Sequence, residues 1–151
     1  MPAIRTISVN RAAVAALVAV MLLSLVPATT MAGVADAPKA VREAEWDVLG
    51  AINHYRASRG LATVRMAQQA RLAARERSQE MANLDYLSHS SPSGKDAASL
   101  LAKYDVQYQA GAENIGRISF IDDWTAAVAG MMGGWKGSSS HNATMLSKTY
   151  N

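Results

Sequence analysis

The N-terminus has the pattern of a segment that directs export rather than one that joins a folded core. Arg5 and Arg11 precede the uncharged apolar residues 12–26, and a run of small residues, PATTMAGVADA, follows. This order is typical of a secretory signal with an A-x-A cleavage motif ending at Ala37, and the apolar part is short for a membrane span. We therefore predict that residues 1–37 are a signal peptide and that the protein is secreted. The alternative is an uncleaved segment that anchors the protein in the membrane.

The chain contains no cysteine. An exported domain without disulfides is stabilised by packing or by a bound metal, and lipid attachment through a cysteine is excluded. Any metal would be held by histidine, carboxylates or water. We assign residues 38–45 to a short linker or helix start, and residues 46–151 to one folded domain.

Charge and composition are those of an ordinary globular domain. Half of the 151 residues are hydrophobic, and 15 basic residues are set against 12 acidic ones. The most basic stretch contains Arg71, Arg75 and Arg77, but Glu76 and Glu80 are interleaved with it. This spacing favours a solvated helix face with local ion pairs. A nucleic-acid surface would need a longer basic run without acids, so we expect no nucleic-acid partner.

Hydrophobic periodicity predicts four helices and few strands. The predicted helices cover residues 41–58, 66–83, about 97–104, and 122 or 123 to 135. For the third helix, Ser93 and Asp96 are placed as a capping box. The ranges Val106–Ala110 and Ile115–Phe120 alternate like strands, which indicates an α+β fold. Because a stable sheet needs three or more strands, we expect further strands after the ending KTYN.

The three histidines differ in their surroundings. His54 lies inside the first predicted helix, where a partly exposed position is expected. His89 and His141 lie among small polar residues, in LSHSSPSG and GSSSHNAT. Such segments form loops, and a histidine in a loop belongs to a functional site more often than to the core. Glu113, in the glycine-containing stretch GAENIG, has no obvious local partner.

Four motifs in order resemble the CAP superfamily (the SCP-like extracellular domain), in its bacterial secreted branch. They are INHYRASRGL, AARERSQEMANLDYLSHSSPSG, GAENIG and WKGSSSHNATML. The resemblance implies a three-layer α/β/α sandwich with a small central sheet, whose last strands are missing here. It also implies a cleft in which two histidines and acidic residues converge, often around a divalent metal.

By position in those motifs, the metal residues are His89, Glu113 and His141. The resemblance further implies structural roles for Asn53, Arg56 and Trp135. It implies that Ser138 supports the metal residues. Ala112 replaces the glycine before the motif glutamate. Ser138 stands where many animal members have a second glutamate, which weakens a mechanism that needs two carboxylates.

Two imidazoles and a carboxylate suit zinc with an open water position. They equally suit a hydrogen-bond network in which Glu113 orients a histidine. We predict a binding or interaction module for a cell-envelope or extracellular ligand, which meets the membrane only through the signal segment during export. The alternative is a metal-assisted hydrolase of peptide or envelope material, with Glu113 as the candidate catalytic base. The serines beside His141 lack the GxSxG context of a nucleophile.

Overall fold

The computed structural model describes residues 16–23, 36–119 and 123–149. These ranges contain five helices: α1 Lys39–Ala57, α2 Gln68–Asn83, α3 Ala97–Lys103, α4 Trp124–Gly137 and α5 Ser139–Leu146. They also contain two strands, β1 Ala16–Leu23 and β2 Ala112–Ser119. Outside them lie Arg5, Arg11 and Ala35 of the predicted signal, residues 120–122 of the predicted second strand and fourth helix, and the last two residues.

The two strands pair in parallel, with Ala16 opposite Ala112 and Leu23 opposite Ser119. β1 therefore comes from the apolar part of the segment that the sequence assigns to a signal peptide. Parallel strands need a long crossover, and here α1, α2 and α3 lie between them in the chain. Among the described residues, the sheet consists of these two strands. The further strands expected after residue 151 stay a prediction.

Alternate side chains of β2 contact different helices, as the two-residue period of a strand requires. On one face, Glu113 meets Arg77 of α2, and Ile115 packs with Met81 of the same helix. On the other face, Asn114 bonds to α5 and Ile118 packs into the cluster that includes α4. The strand is thus enclosed between helices on both faces. This confirms the predicted α+β class, in a three-layer arrangement.

Close packing of α4 on β2 depends on Gly116. A Cβ atom built at this position would overlap the Sδ of Met131 on α4. Trp135, one turn further along α4, donates from Nε1 to the Ile115 carbonyl at 3.1 Å. Because Gly116 has no side chain, α4 and β2 lie in direct contact.

Two main hydrophobic clusters hold the helices. The first joins α1, α4 and α5 through Ala44, Val48, Ile52, Val64, Val128, Met131, Met132, Trp135 and Met145. The second joins α2 and α3 through Ala70, Ala73, Ala74, Leu100 and Leu101. The small side chains of the α2 alanines let α3 lie close.

The prediction of a solvated arginine face on α2 is wrong. Arg71 and Arg75 reach across to Glu45 of α1, with Nε–Oε2 and Nη2–Oε2 distances of 2.6 and 2.7 Å. Arg77 has no exposed surface. One local ion pair does form, between Arg77 Nη1 and Glu80 Oε2 at 3.3 Å. The arginines are nevertheless buried rather than solvated, because α1 and β2 lie over the helix and supply further carboxylates, Glu45 and Glu113.

Three local predictions also need correction. Val106–Ala110 forms no strand, because its chain runs irregularly after α3. The capping box of α3 is Asp96 with Ser99, in which Asp96 Oδ1 accepts from the Ser99 amide at 2.8 Å. His141 lies within α5 rather than in a loop, since the serine-rich run before it begins a short helix.

Candidate functional site

The site is built around Glu113, the second residue of β2. Its Oε2 lies 2.7 Å from Nδ1 of His89, which comes from the segment after α2. The two side chains differ sharply in exposure: His89 is 59% exposed, whereas Glu113 is 5% exposed. A buried carboxylate therefore holds an imidazole that faces solvent.

Arg77 lies beneath this pair. Its Nε is 3.6 Å from Glu113 Oε1, beyond hydrogen-bond geometry, so the contact is electrostatic. Its Nη1 donates to the Tyr86 hydroxyl at 2.8 Å, and its Nη2 donates to the Ser88 carbonyl at 2.6 Å. One guanidinium group thus contacts the buried carboxylate and also fixes the backbone directly before His89.

The segment from Asp85 to His89 has a second attachment to β2. Asp85 adopts the left-handed backbone region with φ 48°, which turns the chain sharply after α2. Its carboxylate accepts from Arg117 Nη2 at 2.8 Å. Burial raises the pKa of Tyr86, although the charge of Arg77 opposes that shift. The phenol therefore stays neutral at physiological pH and keeps its bond to Arg77.

His141 is held differently. Asn114 Nδ2 donates to the His141 backbone carbonyl at 3.1 Å. Since Glu113 and Asn114 point to opposite faces of β2, the strand has the His89 pair on its α2 face and the start of α5 on the other. The structure brings His89 and Glu113 together and places the backbone of His141 against Asn114. Within residues 36–119 and 123–149, no three or more His, Asp or Glu side chains form a cluster able to hold a metal.

Asn53 and Arg56 both tie α1 to neighbouring segments. Asn53 bonds to both backbone polar groups of Val64, with Nδ2–O and N–Oδ1 distances of 2.9 and 2.8 Å. Arg56 is buried, and its guanidinium donates to the carbonyls of Ala62, Met145 and Ser147. Burial lowers the pKa of Arg56. These contacts connect the end of α1 to the end of α5.

Trp135 and Ser138 lie at the end of α4. Trp135 is buried and bonds to β2 as described above. Ser138 separates α4 from α5, and its hydroxyl lies 3.2 Å from the Ser140 hydroxyl. The Ser138 hydroxyl therefore contacts the first turn of α5, the helix that also contains His141.

Sequence reasoning missed Arg77. The signal was present, because Arg77 lies one helical turn before Met81 and one turn after Ala73 and Ala74, which are all buried. An arginine in line with these buried residues is expected to be buried with them, and a buried guanidinium needs a carboxylate or several hydrogen-bond acceptors. Glu113, a carboxylate without an obvious local partner in the sequence, is the residue that the structure places beside it.

Comparison with known families decides the identity of the fold. The family model described as CAP: Cysteine-rich secretory protein family matches residues 49–151. The chain belongs to the CAP family. Despite that description, this CAP chain has no cysteine. No curated protein and no solved structure gives a significant match. In the described part of this CAP domain, no helix has both the length and the apolar character to cross a membrane.

Proposed function

We propose that this CAP-domain chain is a secreted binding module whose ligand-facing group is the His89 imidazole. The observation that carries the proposal is the 2.7 Å contact between Nδ1 of exposed His89 and Oε2 of buried Glu113. Ordering an exposed side chain costs rotamer entropy. Here the chain commits a buried carboxylate and a buried arginine to that ordering, which a ligand site requires and a plain surface histidine does not.

The contact also selects the histidine tautomer. A carboxylate only accepts hydrogen bonds, so the proton of a neutral His89 resides on Nδ1. The Nε2 lone pair is then available to a metal ion or to a hydrogen-bond donor on a ligand. This is the arrangement in which an outer carboxylate orients a metal-binding histidine.

The proposal includes the predicted divalent metal with two imidazole ligands, which the His141 ring would have to reach from α5, whose backbone lies against the other face of β2. His89 Nε2 and the His141 ring would be the protein ligands, and zinc accepts such nitrogen donors. Glu113 was also predicted as a ligand, but its contacts with His89 and Arg77 and its 5% exposure support an orienting role. When bound, the ion would present open coordination positions to an extracellular or cell-envelope ligand.

The hydrolase alternative requires Glu113 to contact a water molecule or the substrate directly. Its carboxylate is buried between Arg77 and His89, which supports the binding module instead. Secretion is supported by the export pattern of residues 1–37 and by membership of a family described as secretory. An uncleaved N-terminal anchor would place the same module at the membrane surface.

Zinc titration by calorimetry tests the proposal. We expect modest affinity that weakens as pH falls through the histidine range, because protons compete for the ring nitrogens. His89→Ala and His141→Ala should each remove most of the affinity. His54→Ala is the matched control, since His54 is an exposed residue of α1.

Equal zinc affinity in all three variants would exclude the shared site. Glu113→Gln then separates the two functions with peptide and envelope substrates. A hydrolase would lose turnover with its fold intact, whereas we expect no turnover in the unsubstituted chain.

A further inference from the structure

Acidic residues are absent from two long parts of the chain. Residues 48–75 and 124–149 contain no aspartate or glutamate. They contain seven arginines and lysines: Arg56, Arg59, Arg65, Arg71, Arg75, Lys136 and Lys148. Such segregation produces a region of positive electrostatic potential only if the two segments are neighbours in space.

The fold does bring them together. The Tyr55 hydroxyl of α1 donates to Asn142 Oδ1 of α5 at 2.9 Å, and Arg56 donates to the Met145 carbonyl. The first hydrophobic cluster also joins α1 to α4 and α5. Both acid-free segments therefore meet around the C-terminal half of α1.

Three of the seven cations are engaged inside the protein. Arg71 and Arg75 pair with Glu45, and Arg56 bonds to backbone carbonyls. The other four are exposed and form no ion pair with a carboxylate among the residues that the structure describes. They are Arg59, Arg65, Lys136 and Lys148.

These four residues, which we call the basic face, surround one end of α1. Lys136 Nζ and Arg59 Cζ lie 4.7 and 5.3 Å from the centre of the Tyr55 ring. Arg65 follows Val64, which bonds to Asn53 of α1. Lys148 follows Ser147, whose carbonyl accepts from Arg56. Two of the charges therefore meet at Tyr55, and the other two lie on segments that bond to Asn53 and Arg56 in the same part of α1.

We propose that the basic face binds an extended phosphate polyanion that carries no nucleobases. Arginine and lysine are the side chains that recognise phosphate, and unpaired cations give up no internal ion pair on binding. Charges distributed around one end of a helix match several anionic groups of one long molecule rather than one small anion. Among the described residues, the ring beside these cations is Tyr55, which already engages two of them and is therefore not free to stack on the bases of a single-stranded nucleic acid.

Binding of linear inorganic polyphosphate to the full chain tests the proposal, in metal-free buffer so that the His89 site does not contribute. Arg59→Gln with Lys136→Gln should weaken binding by about tenfold or more, since each cation supplies a charge-assisted contact. Lys39→Gln with Lys95→Gln is the matched control. It removes the same charge from exposed positions elsewhere, and we expect about a twofold effect or less.

A second pair, Arg65→Gln with Lys148→Gln, tests the same face without touching the Tyr55 cluster, and it too should weaken binding more than the control. Raising the salt concentration should weaken binding by the unsubstituted chain, because exposed charges are screened. Equal losses in control and test pairs would overturn the proposal. Tighter binding of a single-stranded oligonucleotide of equal charge would also overturn it, in favour of nucleic acid.

Discussion

At the scale of single residues, Arg77 links the interior to the site. It has no exposed surface, and it contacts the Glu113 carboxylate, the Tyr86 hydroxyl and the Ser88 carbonyl. A buried carboxylate is stable only with a compensating charge or hydrogen bonds. Arg77 supplies that charge, and by holding Ser88 it also fixes the position of His89.

Arg77→Met should therefore destabilise the protein by about 3 kcal/mol or more, because it leaves a buried carboxylate without its cation. Chemical denaturation measures this change. Adding Glu113→Gln to Arg77→Met should recover part of the loss, since the uncompensated charge is then removed.

The control for this prediction is Arg117→Met. The partner of Arg117 is Asp85, which is 78% exposed, and surface ion pairs contribute about 1 kcal/mol or less. Equal losses for Arg77→Met and Arg117→Met would contradict the role assigned to the buried pair.

At the scale of elements, the approach of α4 to β2 depends on one glycine. A Cβ at Gly116 would overlap Met131, whose side chain is buried. Gly116→Ala should lower the melting temperature, because overpacking a filled core costs about 1–3 kcal/mol.

Gly133→Ala is the matched control in α4, since a Cβ there meets no atom within 4 Å. It should stabilise the helix by about 0.5–1 kcal/mol by removing a flexible residue from a helix interior. A tolerated Gly116→Ala would mean that the flexible end of Met131 moves aside, and it would contradict the requirement for glycine at this position.

A second element contact joins α2 to α3. The Tyr104 hydroxyl donates to Glu76 at 2.7 Å, and Lys103 donates to the same carboxylate. Burial, together with this bond, raises the pKa of Tyr104 to about 12. Burial alone would raise the pKa of Glu76, but the bonds from Lys103 and Tyr104 outweigh it and lower that pKa.

Because the folded pKa of Tyr104 lies above its ordinary value of about 10, its stabilisation is complete below that pH. It should be lost as pH rises towards 12. Tyr104→Phe should cost about 1 kcal/mol at neutral pH. Unfolding free energies measured across the alkaline range should converge for the two chains. A difference that persists above that range would contradict the assigned hydrogen bond.

Helices were predictable from sequence because their stripes of apolar and small residues repeat locally. The ranges 66–83 and 122–135 lie close to α2 and α4. Long-range partners were not predictable from spacing alone. Glu45 is remote in sequence from Arg71 and Arg75, and the alternation of Val106–Ala110 carried no information on whether a neighbouring strand exists. Motif resemblance singled out His89 and Glu113, which the structure brings together, but not the arginine beneath them.

At the scale of the whole molecule, the N-terminal segment has two interpretations with different outcomes. The sequence predicts removal of residues 1–37, whereas the structure pairs Ala16–Leu23 with β2. We expect export with cleavage, so protein recovered from culture medium should begin near Pro38 or Gly33 by N-terminal sequencing. Recovery only in the membrane fraction, with Met1 or Pro2 retained, would show that this segment stays attached.

The central claim is that buried Glu113 fixes the His89 tautomer and presents Nε2 outward. Nitrogen-15 NMR of the imidazole rings, above the histidine titration range, tests this most directly. We predict that the proton of His89 resides on Nδ1, that Glu113→Gln shifts it towards Nε2, and that the exposed His54 is unaffected by that substitution. A proton on Nε2 of His89 in the unsubstituted chain would contradict the account.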